Sequence, residues 1–309
     1  MITTITFNPA LDISGTVDNL IPNEKSYVYG EIQTPGGNGI NAAIIATRLG
    51  AKVTASGLIG GPNGDVIMEL LDKIKVKHAF IPITGKTRLN LTVNNCDNHK
   101  QTRLSFPGPK IKAAEMQNLT LFLQKTRDEM FVFGGSLPPG IKANAVASLV
   151  RACSRKGKIC IVDMPGNLLK DIVKSKPYFV KPNLIEFQDL VGKKVNTIKT
   201  ILPLVRKLNK WIPLICVSSV EGGAILVSKD EAWYGKIPKV KILSTVGAGD
   251  SMVGAISMRL DADPETSVEE LLRWGLASSC ATLTEKGMVL GSKKSIVKYY
   301  PQIIMKNLG

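Results

Sequence analysis

Histidine is nearly missing: His78 and His99 are the only two in 309 residues. Two are too few for a zinc site or for chemistry driven by histidine. Cysteine is sparse and scattered. Cys96, Cys153, Cys160, Cys216 and Cys280 contain no Cys-x-x-Cys pair. An odd, dispersed set excludes a disulfide framework and points to reduced thiols, so a cytoplasmic location is expected. No long apolar run occurs, so no membrane span is expected. The opening MITTITFNPALD lacks a basic head and reads as a strand, not a signal peptide. Aromatic residues make up only 6% and do not accompany the basic ones. That disfavours stacking on single-stranded nucleic acid. Acidic side chains are the minority charge, 25 against 40, leaving +15. The lysines cluster only briefly, at 155–158, 193–194, 236–241 and 293–294. A basic surface or a small phosphorylated ligand fits this better than nucleic acid or membrane.

What is present is an ordinary globular composition, 44% hydrophobic, in a length that one large α/β unit can use. Strand patterns fall at Ile2–Phe7, Val53–Ile59, Met130–Phe133, Ile159–Asp163, Tyr178–Lys181, Leu214–Ser218 and Ala224–Val227, with short ones at His78–Ile81 and Lys239–Leu243. Helical spacing falls at Ala42–Leu49, Gly64–Lys73, Ala113–Glu129, Ala143–Arg155, Val268–Thr284 and Lys293–Lys306. The alternation predicts a largely parallel sheet covered on both faces. Ile13–Leu20, Tyr27–Thr34, Leu89–Asn94 and Arg103–Phe106 have no helices between partners and are expected to form a separate antiparallel sheet. Its uncovered face, with Ile13, Val17, Val28, Leu91 and Val93, predicts pairing of two such sheets in a homodimer. The polar stretch 97–101 is the expected turn in its second half.

Two glycine turns open helices. Ser244–Ala255 reads STVGAGDSMVGA, with Gly247 and Gly249 around Ala248. Free amides and the positive helix end make such a turn an anion site. Asp250 in its midst is either a helix cap or a general base working beside a held phosphoryl group. Pro35–Asn41, PGGNGIN, is the second turn, and its spacing does not match a dinucleotide fingerprint. Asp12 at a strand end reads as a turn residue or a ligand for hydroxyls. Arg88 reads as a solvated side chain or a phosphate fork. Asn183 and Glu186, three apart, read as a capping box or as a water-mediated magnesium site.

Taken together, these strings resemble the PfkB (ribokinase-like) sugar-kinase family, in its phosphofructokinase branch. The two glycine turns match its two signatures. Thr87-Arg88-Leu89-Asn90, Gly135-Ser136-Leu137-Pro138-Pro139-Gly140 and Lys181-Pro182-Asn183-Leu184-Ile185-Glu186 match further motifs, so the resemblance covers nearly the whole chain. It implies one ribokinase-like domain over 1–309: a three-layer α/β/α sandwich with a small antiparallel β lid inserted at about 12–34 and 88–106. It also implies an ATP-dependent kinase acting on a ketohexose phosphate. Fructose 6-phosphate is expected first, with 1-phosphofructokinase or tagatose-6-phosphate kinase activity as alternatives. A non-catalytic sugar-phosphate or nucleotide sensor is the reading from another class. The implied roles are Asp250 as catalytic base; Gly247, Ala248 and Gly249 as anion hole; and Asp12, Gly36, Gly37, Asn41, Arg88, Asn90 and Ser136 for the acceptor. Lys181, Asn183, Ser218, Thr245, Gly223, Gly247 and Gly249 would hold ATP. Asn183 and Glu186 would hold Mg2+ through water, and a monovalent cation is a further implied cofactor. The chain departs from the pattern at Asn38, at Met164-Pro165-Gly166, at Val220 where relatives have glycine, and in a loop at 285–288 one residue longer than expected, which should flank the adenine.

Overall fold

The computed structural model describes residues 1–98 and 100–309; His99, and with it part of the turn expected at 97–101, lies outside the described residues. The strands are β1 (Ile2–Thr6), β2 (Ala10–Val17), β3 (Tyr29–Gly36), β4 (Val53–Ile59), β5 (Ile81–Pro82), β6 (Arg88–Asn95), β7 (Gln101–Ser105), β8 (Met130–Gly134), β9 (Ile159–Asp163), β10 (Phe179–Val180), β11 (Leu214–Val220), β12 (Gly223–Val227), β13 (Ala232–Lys236) and β14 (Ile304–Asn307). The helices are α1 (Asn38–Arg48), α2 (Gly61–Lys73), α3 (Ala113–Lys125), α4 (Ala143–Ser154), α5 (Gly166–Ile172), α6 (Leu184–Val191), α7 (Ile198–Leu208), α8 (Ala248–Ala262), α9 (Val268–Leu283) and α10 (Lys293–Tyr299).

Ten strands form the main sheet in the order β14-β13-β12-β11-β10-β9-β8-β1-β4-β5. Pairing is parallel from β5 across to β11 and antiparallel from β11 to β14. Side chains along each buried strand alternate between two cores. On β8, Met130 and Val132 join the core beneath α1, α2, α8 and α9, while Phe131 and Phe133 join the core beneath α3, α4, α6 and α7. This is the expected three-layer sandwich, and no described helix is long and apolar enough to cross a membrane.

The second sheet runs β3-β2-β6-β7. Its outer pairings are antiparallel, as expected, but the central pair β2–β6 is parallel. The expected outer face also needs correction. Val17 and Val93 are buried within the chain, and Ile13 and Leu91 are half-buried. Of the expected set only Val28 is exposed; the other exposed apolar side chains there are Tyr27, Tyr29, Ile32, Leu104 and Phe106.

Three further expectations fail for identifiable reasons. Lys239–Leu243 is not a strand: β14 already occupies the free edge of β13, so this stretch bonds to the Leu283 carbonyl through Leu243 and Ser244 instead. The helix expected over 293–306 stops at Tyr299, because Pro301 cannot continue it, and the chain turns into β14. Helices α5 and α7 and strand β13 have no counterpart among the expected elements; Gly166 and Pro203 blur the helical patterns.

Helices α1 and α8, which begin at the two glycine turns, cross at Gly254. A Cβ there would lie 2.5 Å from the Ala42 carbonyl oxygen and 3.1 Å from the Ile45 Cβ. Gly254→Val should therefore cost about 1–3 kcal/mol of stability through overpacking, measured by urea unfolding. A variant as stable as the parent would show that this crossing is not tightly locked.

Candidate functional site

The carboxyl ends of the parallel strands carry the polar side chains, where open α/β sheets place their ligand crevice. Asp163 ends β9, Lys181 follows β10, and Ser218 lies near the end of β11. The small sheet stands over this edge, and two adjoining cavities lie there. The lid-side cavity, about 430 Å³, is bordered by Asp12, Asn90 and Arg103 from the small sheet and by Asn41, Asp163 and Asp250 from below. The outer cavity, about 520 Å³, is bordered by Ser218, Gly223, Ile242, Ala248, Leu276 and Leu283. Lys181, Asn183, Thr245 and Gly249 line both.

At the junction sits the first turn of α8. Gly247 is its N-cap with φ 76°, in the left-handed region that only glycine adopts readily. The first intrahelical bond is Ser251 N–H to the Gly247 carbonyl, so the amides of Ala248, Gly249 and Asp250 precede it and face outward. A Cβ on Gly249 would meet the Lys181 Nζ at 3.0 Å, so the ammonium lies directly against this turn. The Asn41 Nδ2 donates to Asp250 Oδ2 at 2.7 Å, joining the two glycine turns through one hydrogen bond.

Electrostatics tie the centre together. Lys181 Nζ lies 3.1 Å from Asp163 Oδ1, with both side chains under 10% exposed. Burial alone would lower the Lys181 pKa, but the carboxylates, Asp163 foremost, hold it above its usual range. Burial, then the nearby Asp163 charge, raises Asp250 to about 6, against the Asn41 hydrogen bond and Lys181. Asp12 is likewise raised by burial, opposed by the Asn90 Nδ2 that donates to it at 2.7 Å.

Not every expected residue lines the cavities. Gly36 lies beneath Asp12, where a side chain would strike the carboxylate. Ser136 is outside the lining and accepts from Asn8 Nδ2 at 3.4 Å. Arg88 borders the lid-side cavity while its Nη1 and Nη2 donate to the carbonyls of Phe106 and Asn8, each at 3.0 Å; its buried Nε has no partner. Asn183 and Glu186 form a reciprocal capping box on α6, at 2.9 and 2.8 Å. The box leaves the second Glu186 oxygen uncommitted. Glu186 also faces Asp163, whose charge adds to the burial that raises its pKa. Two carboxylates repelling across a polar cavity suit a hydrated divalent cation. No cluster of three or more direct metal ligands occurs among the described residues.

Sequence reasoning passed over Asp163, Arg103 and Ser105, all in the lid-side lining. Asp163 stood at a strand's carboxyl end, which was a usable signal. Arg103 and Ser105 share one face of β7 by alternation, but no flanking glycine drew notice. The long loop runs between the cavities: Leu283 before it lines the outer one and Met288 at its end lines the lid-side one. At Val220, the side chain is fully buried and the backbone bulges at Ser219, which takes φ 61°, with Glu221 at 49°. The turn thus uses Ser219, Glu221 and Gly222 where a glycine at 220 was expected.

The family description "pfkB family carbohydrate kinase" matches residues 7–294. A 1-phosphofructokinase of Vibrio cholerae is 30% identical over 305 residues, 98% of this chain and 95% of that protein. Phosphofructokinase-2 from Escherichia coli, solved in complex with substrates and products, is 31% identical with TM-score 0.93 over 97% of this chain and 98% of that one. The same enzyme has been solved with fructose-6-phosphate and with potassium. A ribokinase of Thermotoga maritima shares the fold, with TM-score 0.76 at 19% identity over 97% of this chain and 99% of that one.

The raised Asp250 pKa has a consequence for stability. The folded-state value, about 6, exceeds the ordinary 3.8. The group's contribution is therefore full below the unfolded value and is lost as pH rises through about 6. Asp250→Asn removes this titration and should gain about 1–3 kcal/mol over the parent between pH 5 and pH 8. Urea unfolding at both pH values checks it; a difference that ignores pH would mean an ordinary carboxyl.

Proposed function

Given that the chain belongs to the pfkB family of carbohydrate kinases, we propose that it transfers the terminal phosphoryl group of ATP to a hydroxyl of fructose 6-phosphate. The observation that carries this reading is the Asp250 carboxyl beside outward-facing amides, where one cavity meets the other. ATP occupies the outer cavity against Ser218, Gly223 and Thr245, its terminal phosphate pointing to the α8 turn. The acceptor lies under the small sheet. Asp12, Asn90, Gly37 and Asn41 hold its hydroxyls, and Arg88 and Arg103 hold its phosphate.

Asp250 takes the proton from the attacking hydroxyl. A base near 6 is ionised at neutral pH and still basic enough to pull on the proton as the new bond forms. The amides of Ala248 and Gly249 in the turn that Gly247 opens meet the charge on the phosphoryl group in flight, and Lys181 bridges it to the nucleotide. Glu186, with Asn183, would hold Mg2+ through water, which supplies charge neutralisation for the polyphosphate. A monovalent cation is included in the proposal, on the strength of the potassium complex of the E. coli relative. The reduced cysteines, all five unpaired, support a cytoplasmic enzyme.

A second reading is fructose 1-phosphate, favoured by the name of the Vibrio cholerae relative; tagatose 6-phosphate is the third acceptor of the same shape. Asn38, whose Nδ2 reaches Asp163 at 3.5 Å, faces the cavity in which they differ. The acceptor is decided by kcat/KM for all three with ATP and magnesium. Fructose 6-phosphate should lead, and a preference of about tenfold or more for either competitor overturns the choice. In the same assay Asp250→Asn should lower kcat by about 10²–10⁴; near-normal turnover would remove Asp250 from the chemistry.

We also propose a homodimer through the exposed side chains of the small sheet. On the face of the small sheet turned away from the cavity, Leu104 is 54% exposed and pairs with the half-buried Leu91 of β6, and Phe106, just past β7, is also 54% exposed. Such a patch wants a partner. Light scattering at micromolar concentration should give twice the chain mass, and Leu104→Asp with Phe106→Asp should halve it. A parent that is monomeric and fully active refutes the proposal.

A further inference from the structure

The segment joining α9 to α10 takes no part in the chemistry above, yet it borders both cavities. It leaves Leu283 at the outer cavity and reaches Met288 at the lid-side cavity. Met288 is 8% exposed, and its sulfur accepts from the Thr92 hydroxyl of β6 at 3.8 Å. The far end of the segment is gripped by Arg48, in the last turn of α1. Its Nη1 donates to the Leu290 carbonyl at 2.7 Å and to the Gly291 carbonyl at 3.0 Å. Gly291 N–H donates to Thr282 Oγ1 at 3.0 Å, and that hydroxyl lies 2.7 Å from Ser251 Oγ, next to Asp250 in the chain. Ser251 and Thr282 are fully buried.

Placing a guanidinium here has a cost. Burial disfavours its charge, and Glu285 of the same segment works in the other direction. The charge is turned toward main-chain oxygens, which fixes backbone position. We propose that Arg48 is a positioning residue for phosphoryl transfer. It fixes residues 285–291 so that Met288 supports the strand carrying Asn90 and Thr92, and so sets the small sheet over the acceptor. Arg48 lines neither cavity, and Asn41 rather than Arg48 touches Asp250. Its removal should therefore weaken acceptor binding and spare the chemical step.

The inference rests on the kinase reading, so its test has one readout that needs no activity. In the full chain, Arg48→Met should raise acceptor KM about fivefold or more, with kcat and the KM for ATP within about twofold. Arg48→Lys keeps a donor and a charge and should bring acceptor KM back to within about twofold of the parent. Hydrogen exchange at 285–291 should be faster in the Met variant and near parental in the Lys variant. Should the Met variant not fold, Arg48→Gln gives the same comparison in milder form. Unchanged acceptor KM, or an equal loss in kcat and both KM values that lysine does not rescue, would leave Arg48 with stability alone and overturn the proposal. A parent without sugar-phosphate kinase activity would sink the kinase reading instead, and the exchange rates would still decide whether Arg48 fixes the segment.

Discussion

An ammonium group buried against a carboxylate is the interaction on which the rest of the site depends. Lys181 and Asp163 sit 3.1 Å apart at the floor where the cavities meet. Such a pair is seldom retained for stability, since desolvation offsets much of its attraction. Here it sets the field for its neighbours. Burial does most to raise Asp250 and Glu186, Asp163 adds to both, and Lys181 with one hydrogen bond to each works against it, leaving Asp250 at about 6. Asn38 reaches the same carboxylate from the first glycine turn. One ion pair thereby links the ends of two strands, β9 and β10, and the first turns of three helices, α1, α6 and α8, into a single electrostatic unit.

The second constraint is steric. Helices α1 and α8 begin at separate glycine turns, far apart in the chain, and both turns must face one point. Close contact at Gly254 draws the two helices together, and the Asn41–Asp250 bond registers their first turns. A substitution at the crossing would shift the turns against each other before it changed any group that takes part in chemistry.

Much of this was legible in the sequence because it is local. Glycine turns before helical spacing, Asp250 within one of them and Asn183-x-x-Glu186 after Lys-Pro all write their conformation in a few adjacent residues. So did the alternation of strands and helices that produced the layered sheet. What escaped depends on distant partners. Asp163 looks like any strand-end acid until Lys181 arrives beside it. Arg103 needs the register of β6 and β7 to face the cavity. Lys239–Leu243 looked like a strand because its composition suits one, and only the arrival of β14 from the chain's end denies it a partner. The apolar positions of the small sheet alternated as expected, but α2 and the main body cover part of that face, which no local pattern records.

The parallel pairing of β2 with β6 bears on how the molecule comes to be folded. Two antiparallel hairpins could close early, each on its own turn. A parallel pair cannot: α1, β4, α2 and β5 lie between its strands, so the chain must cross back through the main body before Asp12 finds Asn90. Closing the small sheet therefore costs more loop entropy than closing either hairpin, because the elements between β2 and β6 must be gathered first. All four strands of the small sheet are complete by Ser105, while the glycine turn of α8 begins only at Gly247, so during synthesis the cover is made before half of what it covers.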